Sequence, residues 1–349
     1  MTQYVFHLKD IPDDEIIHYH IKKKTDFYNV IGKFKNYDYS KPRIKTLSKN
    51  VVDKLWISAQ EAFDKYGWYG FFKGNIIEDA EDRAKNYGGL SLAYNPDHWQ
   101  ADNLPVNAQT LGEKRYNLGT LFADDLGKRV WDDLVHANHR MDFYEIIGKK
   151  TLIDGLRFLL DKGHISKDEH YRLEYNHRNH KSKSIASKQS GRNTYSDTFA
   201  YSKRTPASMH GYLGSFIDSS PFSIVRSRMV TLKYPGHVHW HDDENIFLNT
   251  RINIPIHADI KCRLHITNEE NYYHNDPGYM YCWNTELPHK VSISEGTGSR
   301  TAIVLGLSPW FNFDDKEQCW YSNEYFGKVH PFELFEEGIF LNESSYSVN

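Results

Sequence analysis

The segment PGHVHWHDDE, residues 235–244, sets His237, His239 and His241 at every second position and follows them with Asp242 and Asp243. Alternate side chains of an extended chain project to one face. The stretch therefore reads either as a strand end carrying metal ligands or as a polar loop rich in imidazole. His241 and Asp243 make a His-x-Asp pair. Two imidazoles and one carboxylate on one face of an ion leave further positions open, which is the donor set of mononuclear non-haem iron centres. On a sheet scaffold such a pair sits at one strand end, and the second imidazole arrives on a later strand.

With nineteen histidines in the chain, a pair this short recurs by chance. It occurs at His241/Asp243, His257/Asp259 and His274/Asp276. Only the first is followed, at a distance that suits a barrel, by a histidine opening a predicted strand, His289, with Arg300 beginning the next. His257 has no comparable partner, and His330, the candidate for His274, has no basic residue on a following strand. The pattern thus selects His241, Asp243 and His289 as metal ligands and as the catalytic centre. His239 reads as a neighbouring or solvent group, His237 as a turn residue, and Asp242 as solvated.

Arg300 adds a chemical constraint. A 2-oxoglutarate co-substrate chelates iron through its keto and C1 carboxylate oxygens. Its distal carboxylate then needs a buried, permanently charged, two-pronged donor, which Arg supplies better than Lys. Two other readings stay open: a jelly-roll or cupin-like binding module with a structural metal or none, and a metal cupin enzyme that does not use 2-oxoglutarate. Both leave Arg300 without a role.

The elements around these residues follow from pattern. NVVDKLWISAQEAFDKYG, residues 50–67, predicts a helix capped by Asn50, with Val51, Leu55 and Ala59 on one face and Gly67 as its end. YGGLSLAYNP, residues 87–96, alternates Leu90 and Leu92 like a half-buried strand. Residues 120–175 read as helical. In TLIDGLRFLLDKG, Thr151 caps an apolar face of Leu152, Leu156 and Leu159, and SKDE at 166–169 is a capping box opening the second arm of a helical hairpin. The basic, Ser- and Asn-rich run 176–193 reads as a connector rather than a nucleic-acid arm, because it lacks aromatics for stacking.

From about 195 the texture changes to short β-rich runs at 222–236, 245–256, 261–267, 278–284, 289–294 and 300–308, separated by turns such as Asn275-Asp276-Pro277-Gly278. That spacing predicts an antiparallel barrel or sandwich.

Bulk properties set the class. The chain has 349 residues, 39% apolar and 15% aromatic, enough for a substantial core. Its net charge of −3 gives no whole-chain reason to expect nucleic acid or an anionic membrane. No apolar run suits a signal segment or a membrane helix. The sparse set Cys262, Cys282 and Cys319 suits reduced, buried thiols and a cytoplasmic protein. The oligomeric state is not encoded in any of these features.

TLKYPGHVHWHDD, TRIN, WNTELPHKV and SRTAIVLGL together resemble the aspartyl/asparaginyl β-hydroxylase family of Fe(II)/2-oxoglutarate-dependent oxygenases, which includes proline cis-hydroxylases. The likeness covers about residues 195–312. It implies an α+β fold built on a double-stranded β-helix, a jelly-roll/cupin-like barrel, with flanking helices and a helical insertion. The division would be 1–86 as N-terminal flanking helices and strands, 87–96 as a possible core strand, 97–194 as a mainly helical insertion with a basic linker, 195–312 as catalytic core and 313–349 as C-terminal extension. By position it implies iron on His241 and His289, and the distal carboxylate of 2-oxoglutarate on Arg300 with the hydroxyl of Thr231. Arg251 and Asn253 then bind at the co-substrate end of the pocket. Asp243 restores a carboxylate that the animal aspartyl enzymes lack, as in the proline hydroxylases. Asn249 and Asn284 replace an Arg and an Asp of relatives, so the substrate is not restricted to Asp or Asn side chains. The implied activity is hydroxylation of an amino acid, peptide side chain or small metabolite with Fe(II), 2-oxoglutarate and dioxygen. Trp240, Tyr281 and Trp283 are candidates to line the pocket.

Overall fold

The computed structural model describes residues 5–7, 30–70, 85–94, 152–180, 199, 201, 203–241, 243–317 and 319–341. Most of the expected insertion, including Thr151 and the connector beyond residue 180, lies outside them.

Two compact units divide the chain. The first comprises Met1–Trp68, Gly89–Gln109 and Asn193–Asn349, and the second Tyr69–Gly88 and Thr110–Arg192. The fold is mixed α/β with mostly antiparallel sheets and few helices. In chain order the strands are β1 (Val5–His7), β2 (Arg43–Thr46), β3 (Tyr69–Gly70), β4 (Tyr87–Ser91), β5 (Ala93–Tyr94), β6 (Lys203–Arg204), β7 (Arg228–Lys233) and β8 (Val238–His241). They continue with β9 (Thr250–Ala258), β10 (Lys261–Ile266), β11 (Tyr272–His274), β12 (Tyr279–Cys282), β13 (His289–Glu295), β14 (Ser299–Leu307), β15 (Phe311–Asp314) and β16 (Cys319–Ser322). The helices are α1 (Lys49–Tyr66), α2 (Leu152–Asp161), α3 (Lys167–His180), α4 (Gly211–Asp218) and α5 (Pro331–Glu336).

A seven-stranded sheet runs in the order β2-β12-β9-β14-β7-β4-β3, and a four-stranded sheet in the order β11-β10-β13-β8. Tyr281 of β12 donates from its hydroxyl to the carbonyl of His274 on β11, at 2.6 Å, and so links the two sheets. A third sheet, β1-β16-β15, draws on the region expected to be a C-terminal extension.

Helix α1 forms where the apolar period predicts it, but its cap is Ser48 rather than Asn50. The Ser48 hydroxyl accepts the Val51 N–H at 3.3 Å. Gly67, at φ 91°, ends the helix in a conformation that side chains rarely adopt. Val51, Leu55, Ala59 and Ala62 share a buried cluster with Leu213, Phe216 and Ile217 of α4 and with Ile252, Ile254, Ile303 and Leu305 of the large sheet. Burying a side chain such as Leu55 contributes about 1.5–3 kcal/mol, so this face anchors β9 and β14 against the helices. Gly89 of β4 comes so close to the Met229 carbonyl of β7 that a Cβ there would collide with it.

In the second unit α2 and α3 pack as the predicted hairpin, with Leu156, Leu159, Ile165 and Leu173 buried. Both bonds of the expected capping box are present: Ser166 N–H to Glu169 Oε2 at 2.7 Å, and Glu169 N–H to Ser166 Oγ at 3.2 Å.

Two predicted strands are shorter than their apolar runs. Residues 245–249 form a turn in which the Leu248 and Asn249 N–H groups donate to the Asn245 carbonyl. Before β7, Ile224 makes only an isolated bridge to Leu307. No helix among the described residues is long and apolar enough to cross a membrane. The three cysteines are free and buried.

Candidate metal centre

Strands β8 and β13 pair antiparallel, and their register sets His241 opposite His289. Opposed residues share a sheet face, so the two rings meet with centroids 4.2 Å apart. Asp243 follows β8 and is fixed from the segment before β13: its N–H donates to the Thr285 carbonyl at 2.7 Å, and the Thr285 hydroxyl donates to the Glu244 carbonyl at 2.8 Å. Asp243 Oδ2 then stands 3.5 Å from His241 Nε2 and 3.6 Å from His289 Nε2. The donor atoms of the three residues lie within 4.8 Å of one another. With metal–ligand bonds of about 2.1 Å, neighbouring donors stand about 3.0–3.4 Å apart, so a small inward adjustment closes the group on one ion. The residues fit a metal.

Protonation favours the same function. His289 Nδ1 lies 2.9 Å from the Leu287 carbonyl, which fixes the proton on that nitrogen and leaves Nε2 as the donor. Burial lowers the His289 pKa and keeps its imidazole neutral, against the opposing pull of Asp243. For Asp243, burial alone would raise the pKa. The Arg251 guanidinium leads the effects that outweigh it and hold the carboxyl well below its usual range. Ionised carboxylate and neutral imidazole are the forms a divalent cation requires.

Behind Asp243 lies a buried charge network. Arg251 Nη1 contacts Asp243 Oδ2, while its Nη2 donates to Glu244 Oε2 at 2.6 Å. Arg226 pairs with the other Glu244 oxygen, and Asn249 Nδ2 donates to Oε2 at 3.4 Å. Two carboxylates and two guanidiniums thus balance, and a desolvated charge needs that pairing. Gly306, opposite Arg251 on β14, makes room: a Cβ there would strike the Val225 carbonyl and Asn249 Oδ1. Sequence reasoning missed Glu244 and Arg226. Nothing in the sequence marked Glu244, which follows Asp242 and Asp243 like a further solvated acid.

Arg300, 2% exposed, donates through Nη2 to Asn253 Oδ1 at 2.8 Å. Arg251 and Asn253 alternate along one face of β9, so the Asp243 contact and the Arg300 contact belong to the same interior between the sheets. Thr231 does not join them. The β7–β14 register pairs Thr231 with Thr301 and Arg300 with Leu232, which puts Thr231 and Arg300 on opposite faces. The Thr231 hydroxyl meets that of Thr301 at 3.1 Å, and His257, paired with Thr301 on β9, stacks on Trp56 of α1 at 4.2 Å. Thr231 therefore faces the helices.

The remaining histidine pairs are explained locally. His257 Nε2 lies 3.3 Å from Asp259 and stacks on Trp56. His274 is exposed at the end of β11. His330 caps α5, its Nδ1 accepting the Phe332 N–H. Among the aromatics, Trp240 is exposed and its Nε1 donates to Glu269, whereas Trp283 is buried with its ring edge-on to His289 at 5.4 Å.

In comparisons with known proteins, no family model and no curated protein matches this chain.

Proposed function

We propose that the chain is an Fe(II)/2-oxoglutarate-dependent oxygenase on a double-stranded β-helix scaffold, hydroxylating an unactivated C–H bond of an amino acid, a peptide side chain or a small metabolite. The observation that carries this reading is the convergence of His241, Asp243 and His289 between two sheets, with Arg300 buried on the facing sheet. Iron bound there would supply the redox chemistry coupling decarboxylation of the 2-oxo acid to C–H oxidation, with dioxygen consumed and succinate, carbon dioxide and the hydroxylated product released.

The chain's own part is positioning. Arg251 and the Thr285 backbone hold the Asp243 carboxylate toward the two Nε2 atoms. Asn253 fixes one prong of Arg300, and a guanidinium is the donor type suited to a two-pronged grip on the distal carboxylate. Arg251 and Asn253 stand about 7 Å apart along β9, a separation that suits a short diacid reaching from the metal ligands to Arg300. Leu264, Ile266 and Val291 share the inner face with His289 and keep bulk water from that wall. His241, the most exposed of the three ligands with 34% of its side chain accessible, marks the side from which a substrate enters.

Neither a binding module nor a metal cupin enzyme that dispenses with 2-oxoglutarate calls for a fork-shaped carboxylate donor such as Arg300 on the same interior as the metal residues. The direct test is a succinate-release screen over amino acids and small acids with iron-loaded protein. Iron-dependent succinate formation is expected, with loss of that activity in His241→Ala. Undiminished 2-oxoglutarate turnover in the variant rules the reading out.

A further inference from the structure

The displacement of Thr231 to the helix side leaves Arg300 without the hydroxyl that the family resemblance implies, and another polar group stands at that end of the interior. Asn275 follows β11 and is 1% exposed, yet among the described residues neither its Nδ2 nor its Oδ1 has a hydrogen-bond partner. A buried carboxamide with both atoms unmatched is rare, because each costs its desolvation in full. Its backbone is tightly set. The Asn275 N–H donates to the Cys262 carbonyl at 3.0 Å, and the Tyr281 hydroxyl binds on either side of it, donating to the His274 carbonyl at 2.6 Å and accepting from the Asp276 N–H at 3.3 Å. Tyr281 is opposed to Asn253 in the β12–β9 register, and Asn253 is the residue that holds Arg300. Both Cys262 and Tyr281 feel the Arg300 charge.

We propose that Asn275 is a co-substrate-binding residue: its carboxamide completes, with Arg300, the seat for the distal carboxylate of 2-oxoglutarate. The Nδ2 group donates to one carboxylate oxygen while the guanidinium holds the other. This inference rests on the oxygenase reading, and it assigns to Asn275 the task that the resemblance gave to Thr231.

The test compares two ligands that chelate iron alike and differ only at the far end, 2-oxoglutarate and 2-oxopentanoate, titrated anaerobically into Fe(II)-loaded protein while the visible charge-transfer band is followed. Wild type should bind 2-oxoglutarate much more tightly. Asn275→Leu should weaken 2-oxoglutarate by about tenfold, leave 2-oxopentanoate and Fe(II) affinity unchanged, and melt no lower than wild type, since an unmatched amide is replaced by a hydrocarbon of similar size. Asn275→Asp should weaken 2-oxoglutarate further, because a carboxylate then faces a carboxylate. Equal weakening of both ligands, or unchanged 2-oxoglutarate affinity in a folded variant, overturns the assignment while leaving the oxygenase reading intact. A wild-type protein that gives no band with either ligand removes the reading and this inference together.

Discussion

His241 and His289 are directly opposed across the β8–β13 pair, and Asp243 Oδ2 stands almost equally far from the Nε2 of each, at 3.5 and 3.6 Å. That symmetry makes each histidine separately necessary. Replacing either by Ala should weaken Co(II) or Fe(II) binding by at least about 100-fold, read by calorimetric titration, since a ligand counts for more than the 10–100-fold typical of a supporting residue. A single-histidine variant that binds metal as wild type does would disprove a shared ion.

Glu244 is predicted to act at one remove. Glu244→Gln leaves Arg226 and Arg251 with an uncharged neighbour in a buried setting. Chemical denaturation should show a loss of about 3–5 kcal/mol, and metal affinity should fall about 10–100-fold because Arg251 no longer holds Asp243 in place. Stability loss with unchanged metal affinity would mean that the network is structural only.

Thr231 and Arg300 should part company experimentally. Thr231→Val removes only a hydroxyl bonded to Thr301 on the helix-facing side and should leave 2-oxoglutarate affinity unchanged. Arg300→Lys replaces a fork by a point charge and should raise the co-substrate requirement without altering metal binding. Equal losses from both substitutions would contradict the observed register.

His330 gives a pH prediction away from the metal. Its Nδ1 accepts the Phe332 N–H at 3.0 Å, and Nε2 lies 3.0 Å from the Tyr39 hydroxyl, so the capping ring is neutral with its proton on Nε2. Burial, reinforced by the Arg43 charge, pushes its pKa down to about 3. A folded pKa below the unfolded value of about 6.5 means that the unfolded chain binds the extra proton first. Its contribution is therefore complete above pH 6.5 and declines as pH falls from there toward 3, by at most about 1.4 kcal/mol per pH unit. His330→Asn keeps a capping side chain and removes the titration. Denaturation midpoints should then fall less steeply between pH 6 and 4 than in wild type, and parallel curves would refute the assignment.

The convergence of His241, Asp243 and His289 was legible because three sequence features had to coincide: a His-x-Asp pair at a strand end, a later histidine opening a strand, and an arginine opening the next. The β period then brought His241 and His289 face to face. The side of the sheet on which Thr231 projects was not legible. It depends on the pairing of β7 with β14, and a shift of one residue reverses every side chain. The α1 cap was misread for a local reason, since both Ser48 and Asn50 are good caps and only the backbone turn selects Ser48. Glu244 was hidden because a buried carboxylate looks like a solvated one until its arginines are found in space. Strands β15 and β16 were missed because runs of four residues are too short for a period to stand out from chance.

The central claim is that His241, Asp243 and His289 hold one iron ion that a 2-oxo acid can chelate. Anaerobic addition of Fe(II) and then 2-oxoglutarate to the metal-free protein tests it most directly. The account predicts saturation at one iron per chain and a weak visible charge-transfer band that appears only when both are present and is absent in His289→Ala. Iron binding at the same stoichiometry in that variant, or a wild-type complex without the band, would contradict it.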